Sequence, residues 1–149
     1  MIFDRGMTIG WQLPPVSRQM SLKQFAERHP LLYGEGAWPD ANIHSDPDAA
    51  RNEGLAEPVA SAPTIFALVT RAMMTCFGKG WIVGGSTSLK MIKPVFPHNF
   101  VTAKGVLREK RPEGDDVRYC FDVWVEDEDM RKVVVGEASA LIPAHVDAR

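Results

Sequence analysis

Asp40, Asn42, His44 and Asp46 alternate along one short stretch, Asp40-Ala-Asn-Ile-His44-Ser-Asp46, with Gly34, Gly36 and Pro39 before it and Pro47 after it. An irregular loop can aim two carboxylates, an amide and an imidazole at one point. A His beside a carboxylate is the usual equipment for moving protons on and off a substrate. The same residues also allow a plainer reading, a polar loop in which Asp46 caps a helix and His44 satisfies a backbone group. The spacing leaves both readings open.

Such a loop needs a scaffold, and the pattern of apolar residues supplies one. Pro63 to Cys76 carries Ile65, Leu68, Val69, Ala72, Met73 and Cys76 at helical spacing, with Phe66, Ala67 and Met74 off that stripe, so the helix is apolar over most of its circumference and is expected to be wrapped by other structure. Beyond Gly80 the period changes to two. Strands are expected at 81–92, 99–110, 117–126 and 131–142, with hairpin turns at 111–116 and 126–129. Upstream, Thr8–Trp11 could form a short strand that Leu13-Pro14-Pro15 stops. Ser21 opens a short helix with Leu22, Phe25 and Ala26 on one face, and Asp46 caps another that begins at Pro47 and ends at Gly54. One long helix against an antiparallel sheet is an α+β domain, and no linker or repeat divides residues 1–149.

A chain of 149 residues suits one core, and 45% hydrophobic with 24% charged residues argues against disorder. The net charge of −2 argues against nucleic acid as a ligand, because phosphate binding draws on a basic surplus. No apolar run approaches a membrane span and no leader pattern opens the chain, so a cytoplasmic protein is expected. Cys76 and Cys120 sit in apolar patterns and read as buried thiols. His29, His98 and His145 lack ligand spacing, so no metal site is assigned.

The stretch from Tyr33 to Ala50 resembles the signature of the MaoC-like (R)-specific enoyl-CoA hydratases, a hot-dog-fold family: an aromatic residue, a small-residue step, an Asp, an Asn-Pro pair, an apolar residue, a His, and an Ala six residues after it. The resemblance continues through Asp46-Pro47, Gly54-Leu55, Pro58-Val59-Ala60 and Lys93-Pro94-Val95-Phe96, and so covers nearly the whole chain. Two departures stand out. Asn42 runs straight into Ile43 without the pair's Pro, so that Asp40 lies four residues before His44 where the family's catalytic Asp lies five before, and Ser61-Ala62-Pro63 occupies the place of a His-Gly-Met-like turn. Pro63 has no N–H to offer developing negative charge, so an oxyanion site must use other donors.

The resemblance implies a single hot-dog domain in which a sheet wraps a central helix, and a homodimer joined through sheet edges. It implies a hydratase or dehydratase acting on an enoyl or 3-hydroxyacyl thioester of CoA or of a carrier protein, with no cofactor. His44 and Asp40 would be the catalytic pair, and Asn42, Ser61 and Thr70 would bind substrate. Arg71, Lys90 and Lys93 could meet the phosphates of the carrier arm, and Trp38 and Trp81 could line an acyl pocket, although solvated cations and core aromatics are the commoner explanations. The alternatives are a non-catalytic hot-dog subunit that binds a thioester and an acyl-thioester hydrolase.

Overall fold

The structure, a computed structural model, describes residues 3–33 and 41–143, with the side chains of 28–33 outside the description. Its elements run β1 (Val16–Gln19), α1 (Leu22–Tyr33), α2 (Pro47–Asn52), α3 (Ala62–Phe77), α4 (Lys79–Gly84), β2 (Ser86–Met91), β3 (Phe100–Glu113), β4 (Asp116–Glu126) and β5 (Lys132–Pro143). The strands form one antiparallel sheet in the order β1-β3-β4-β5-β2. α3 lies across one face of it.

The period-two pattern explains that packing. Tyr119, Phe121, Val123 and Val125 of β4 are buried on the face toward α3, as are Val101, Ala103 and Leu107 of β3 and Val134, Ala138 and Ala140 of β5. From α3 the matching stripe is Ile65, Leu68, Val69, Ala72, Met73, Cys76 and Phe77. Phe77 anchors the far end: its ring centroid lies 5.5 Å from Phe121, 5.9 Å from Tyr119 and 5.5 Å from Phe3, in the tilted and edge-on arrangements aromatic rings favour. Phe3 is also tied there by its backbone, its N–H donating to Cys76 O at 3.0 Å. The expected helix is therefore present, lengthened by one residue at each end. It is not wrapped on all sides, since Ala67, Thr70, Arg71, Met74 and Thr75 form an exposed stripe at helical spacing.

Several sequence expectations need correction. Residues 79–84 form a helix where a strand from 81 is expected, and β2 starts only at Ser86. The chain leaves α3 at Gly78, with φ of 51°, and Gly78 O accepts the N–H groups of Trp81 and Ile82, which closes a helical turn directly. α4 thereby lies along the part of β5 that β2 does not reach, covering that edge. Trp81 packs half-buried against the core from α4.

Thr8–Trp11 is not a strand. The first strand is Val16–Gln19, paired with β3, and an isolated bridge joins Gln12 to Val106. The turn expected at 111–116 is tighter, because pairing continues to Glu113 and Asp116 and leaves Gly114, with φ of 62°, and Asp115 at the tip. On α1, Ser21 Oγ accepts the Gln24 N–H at 3.3 Å and Phe25 is buried, but Ala26 is exposed. Asp46 caps α2 as expected, accepting the Ala49 N–H at 2.8 Å. None of the described helices is long and apolar enough to cross a membrane.

Gly136 controls the attachment of β2. A Cβ there would fall 2.1 Å from Ser88 O, which is backbone and cannot move aside without breaking the β2–β5 ladder. Gly136→Ala is expected to lower the melting temperature by several degrees, read by circular dichroism. Amide exchange should rise in β2 while β3 and β4 stay protected.

Candidate functional site

The candidate loop is built around Asn42. Its side-chain Oδ1 accepts the His44 N–H at 2.8 Å, and its main-chain oxygen accepts the N–H groups of Ser45 and Asp46 at 3.0 and 2.9 Å. Its own N–H donates to Ser45 Oγ at 3.2 Å. An Asn followed by such a turn is a local substitute for regular structure, and here it sets the direction in which His44 leaves the chain. Asn42, expected to bind substrate, is buried and spends its side-chain oxygen on positioning His44.

The loop rests on an extended segment that leads into α3. Val59 N–H donates to Ile43 O at 3.0 Å, Ala60 N–H donates to Val95 O at 2.8 Å, and His44 Nδ1 stands 2.8 Å from Val59 O. A carbonyl oxygen can only accept, so Nδ1 carries the hydrogen, and in the neutral ring the lone pair sits on Nε2. Val59 thus selects the tautomer in which Nε2 is the basic nitrogen. Neither Asn42's use as a loop support nor the Val59 carbonyl is evident from residue types, although Pro58-Val59-Ala60 is part of the resemblance that points to this segment.

Two residues further on, Ser61 caps α3 by position, and its Oγ lies 3.0 Å from Thr64 Oγ1, both side chains buried. The structure therefore brings Asn42, His44 and Ser61 onto one junction. Thr64 joins them unannounced, its only sequence signal being a second hydroxyl three residues after a cap position. Thr70 does not join. It is exposed on α3, nine residues beyond Ser61 and so roughly 13 Å along the axis at the usual helical rise. Asp40 and Trp38 lie outside the described residues. Arg71, Lys90 and Lys93 are exposed.

The opposite face of the sheet carries the charges. An open groove of about 530 Å³ is lined by Arg108, Arg111, Arg118, Cys120 and Glu137 together with Ser86, Ser88 and Ser139. Arg108 pairs with Asp122 at 2.9 Å and Glu137 at 2.6 Å. Arg118 pairs with Glu113 at 2.5 Å and also donates to Gly84 O at 3.0 Å and Ser139 Oγ at 3.1 Å, tying the end of α4 to the sheet. The hydrogen bond from Arg118 holds the Glu113 carboxyl below its ordinary range. Burial pushes the Cys120 thiol up, which suits packing and not nucleophilic attack.

Neither a family model nor a curated protein matches this sequence. Solved structures match it across almost its full length. The (R)-hydratase PhaJ1 from Pseudomonas aeruginosa superimposes with a TM-score of 0.73 at 19% identity, over 96% of this chain and 88% of that one. A MaoC-like dehydratase from Rhodospirillum rubrum gives 0.74 at 15% identity, over 95% and 96%. A 3R-hydroxyacyl-ACP dehydratase complex from Mycobacterium tuberculosis gives 0.67 at 14%, over 89% and 96%. The chain has the hot-dog fold. The MaoC-like resemblance in the sequence and the hydratase and dehydratase neighbours in structure converge on one architecture, α+β with α3 as the central helix.

Two outcomes check this geometry. ¹⁵N NMR of the His44 ring at a pH where it is neutral should show hydrogen on Nδ1, the minor form of free imidazole. A spectrum with hydrogen on Nε2 would contradict the Val59 contact. Cys76, completely buried in the core, has its thiol pushed up to about 12 by that burial. At pH 8 it should resist iodoacetamide in the folded protein and react only on unfolding, as peptide mass mapping would show.

Proposed function

We propose that this chain is a hydratase or dehydratase of enoyl and 3-hydroxyacyl thioesters, carried by CoA or by a carrier protein, with His44 as a proton-transferring catalytic residue. The observation that carries the reading is the His44 ring held at Nδ1 by Val59 O, which fixes Nε2 as its basic nitrogen, in a loop whose sequence resembles the MaoC-like signature. The names of two structural neighbours, an (R)-hydratase and a 3R-hydroxyacyl-ACP dehydratase, agree with this substrate class.

In the hydration direction Nε2 takes a proton from water as the water oxygen bonds to C3. The C2–C3 π pair moves toward the carbonyl, giving an enolate, and C2 then takes a proton, so one water has been added overall. The reaction as written draws on no cofactor, because the thioester itself acidifies the hydrogen at C2. Asp40 is the proposed second proton carrier, on the strength of the resemblance. A non-catalytic thioester-binding subunit is the second reading, favoured by the one-residue shift of Asp40 relative to the family pattern.

A cytoplasmic homodimer is part of the proposal. β2 is an edge strand paired only with β5 among the described residues, and beside it Ile82 and Val83 are 69% and 76% exposed. With the uncovered stripe of α3, these features leave apolar surface and a strand edge that a second copy would bury. Light scattering at micromolar concentration should return twice the 16.5 kDa chain mass.

His44→Ala should lower hydration of trans-2-butenoyl-CoA by roughly 10²–10⁴-fold, the usual worth of a positioned acid or base, while melting temperature and mass stay unchanged. Loss of the enoyl-thioester absorbance is the readout. Asp40→Asn should cause a comparable loss. Wild-type protein inert toward short, medium and aromatic enoyl thioesters would remove the enzymatic reading and leave the binding subunit. Release of free CoA thiol would indicate a thioester hydrolase instead.

A further inference from the structure

The first turn of α3 holds a hydroxyl hydrogen that the protein itself does not use. Ser61 Oγ and Thr64 Oγ1 are 3.0 Å apart, in side chains of residues only 8% and 3% exposed. Each hydroxyl brings one hydrogen. One of them closes the bond between the two oxygens, and the other has no acceptor among the described residues. A buried donor without a partner is destabilising, and native proteins keep few of them unless something outside the chain completes the bond.

Burial decides which hydrogen is left over. Thr64 is the deeper residue and is locked into the turn by its N–H, which donates to Ser61 O at 3.0 Å. Either oxygen could donate in this pair, and the deeper burial of Thr64 favours the arrangement in which its hydroxyl donates to Ser61 Oγ and leaves the Ser61 O–H available to a ligand. Ser61 follows Val59, the residue that holds His44, by two positions, so this donor belongs to the junction that carries the imidazole. It also stands at the N-terminus of a 16-residue helix, where the aligned peptide dipoles favour negative charge. Pro63 withholds one of the N–H groups such a terminus would normally offer, and a hydroxyl donor makes up for it.

We propose that the Ser61 hydroxyl, oriented by Thr64, donates a hydrogen bond to the carbonyl oxygen of an acyl thioester. This deepens the hydratase reading and rests on it for the catalytic consequence. As the water oxygen bonds to C3, the C2–C3 electron pair becomes the C1–C2 double bond and the carbonyl pair moves onto oxygen. There the Ser61 O–H stabilises the charge without giving up its proton, and the pair returns when C2 is protonated. Ser61 is then a catalytic residue and Thr64 a positioning residue.

The test uses butanoyl-CoA labelled with ¹³C at the thioester carbonyl, which is saturated and cannot be hydrated. Isotope-edited infrared difference spectra should show the carbonyl stretch lowered on binding to wild-type protein. Ser61→Ala and Thr64→Val should abolish the lowering, and Thr64→Ser should keep it. With trans-2-butenoyl-CoA, Ser61→Ala should lower kcat by about 10²-fold, as loss of one oxyanion donor does. Thr64→Val should lower kcat at least tenfold with KM within about twofold, and Thr64→Ser should restore most of it. Circular dichroism melts establish that each variant is folded. If Thr64→Val does not fold, Ser61→Ala and Thr64→Ser decide the matter. No lowering in wild type, or a lowering that survives Ser61→Ala, overturns the inference whatever the turnover. A Ser61-dependent lowering in a protein that hydrates no enoyl thioester upholds the hydrogen bond and overturns the hydratase reading alone.

Discussion

The segment Val59-Ala60-Ser61 is buried yet belongs to no helix or sheet, and much of the site follows from how its backbone is satisfied. Peptide groups removed from water must find partners. Val59 N–H finds Ile43 O, Ala60 N–H finds Val95 O, and Val59 O finds the His44 ring. These three bonds connect the Asn42 turn, the stretch before β3 and the start of α3. The hydrogen bonds that make burial tolerable therefore also fix where the imidazole lies and which of its nitrogens is basic. Position and chemistry are not separable here.

The sheet explains why that segment is buried at all. α3 presents seven apolar residues to a face whose own residues include Ala103, Ala138 and Ala140, and small side chains there let the helix sit close. Phe77 at one end, packed among Phe3, Tyr119 and Phe121, sets how far the helix reaches along the strands. With the far end held, the near end falls where residues 58–61 must cross beneath the Asn42 turn. Strands β3, β4 and β5 alternate apolar toward α3 and charged away from it, so the guanidinium and carboxylate groups of Arg108, Asp122 and Glu137 are kept on the other face.

Much of this was legible in the sequence where the pattern was regular. The i, i+3, i+4 stripe from Ile65 to Cys76 and the alternation in 117–126 correspond directly to α3 and β4, and Asp46-Pro47 to the capped start of α2. Legibility failed where tertiary contact overrode local pattern. Trp81-Ile82-Val83 reads as strand by propensity, but Gly78 turns the chain so tightly that a helical turn closes, and the gap beside β5 accommodates it. Val16–Gln19 is too short and polar to announce itself, and becomes a strand because β3 offers it an edge. In the site, residue types and resemblance pointed to His44, Asn42 and Ser61. The acceptor for His44 is a main-chain oxygen, which no residue type reveals, and Thr64 is indistinguishable in sequence from any other helical Thr.

The distribution of buried polar groups separates support from function. The described residues bury four polar side chains: Asn42, Ser61, Thr64 and Asn99. Asn99 accounts for both ends of its amide, accepting the Phe96 N–H at 2.8 Å and donating to Glu128, and it stabilises the approach to β3. The other three meet at the loop–helix junction, 42 with its oxygen committed to His44 and the hydroxyl pair with a hydrogen in excess. A polar group buried for stability is satisfied within the chain, whereas one buried for a ligand is completed only when the ligand arrives. By that criterion Asn99 is a support, and the hydroxyl pair of Ser61 and Thr64 is the observation on which the proposed hydrogen bond to a ligand rests.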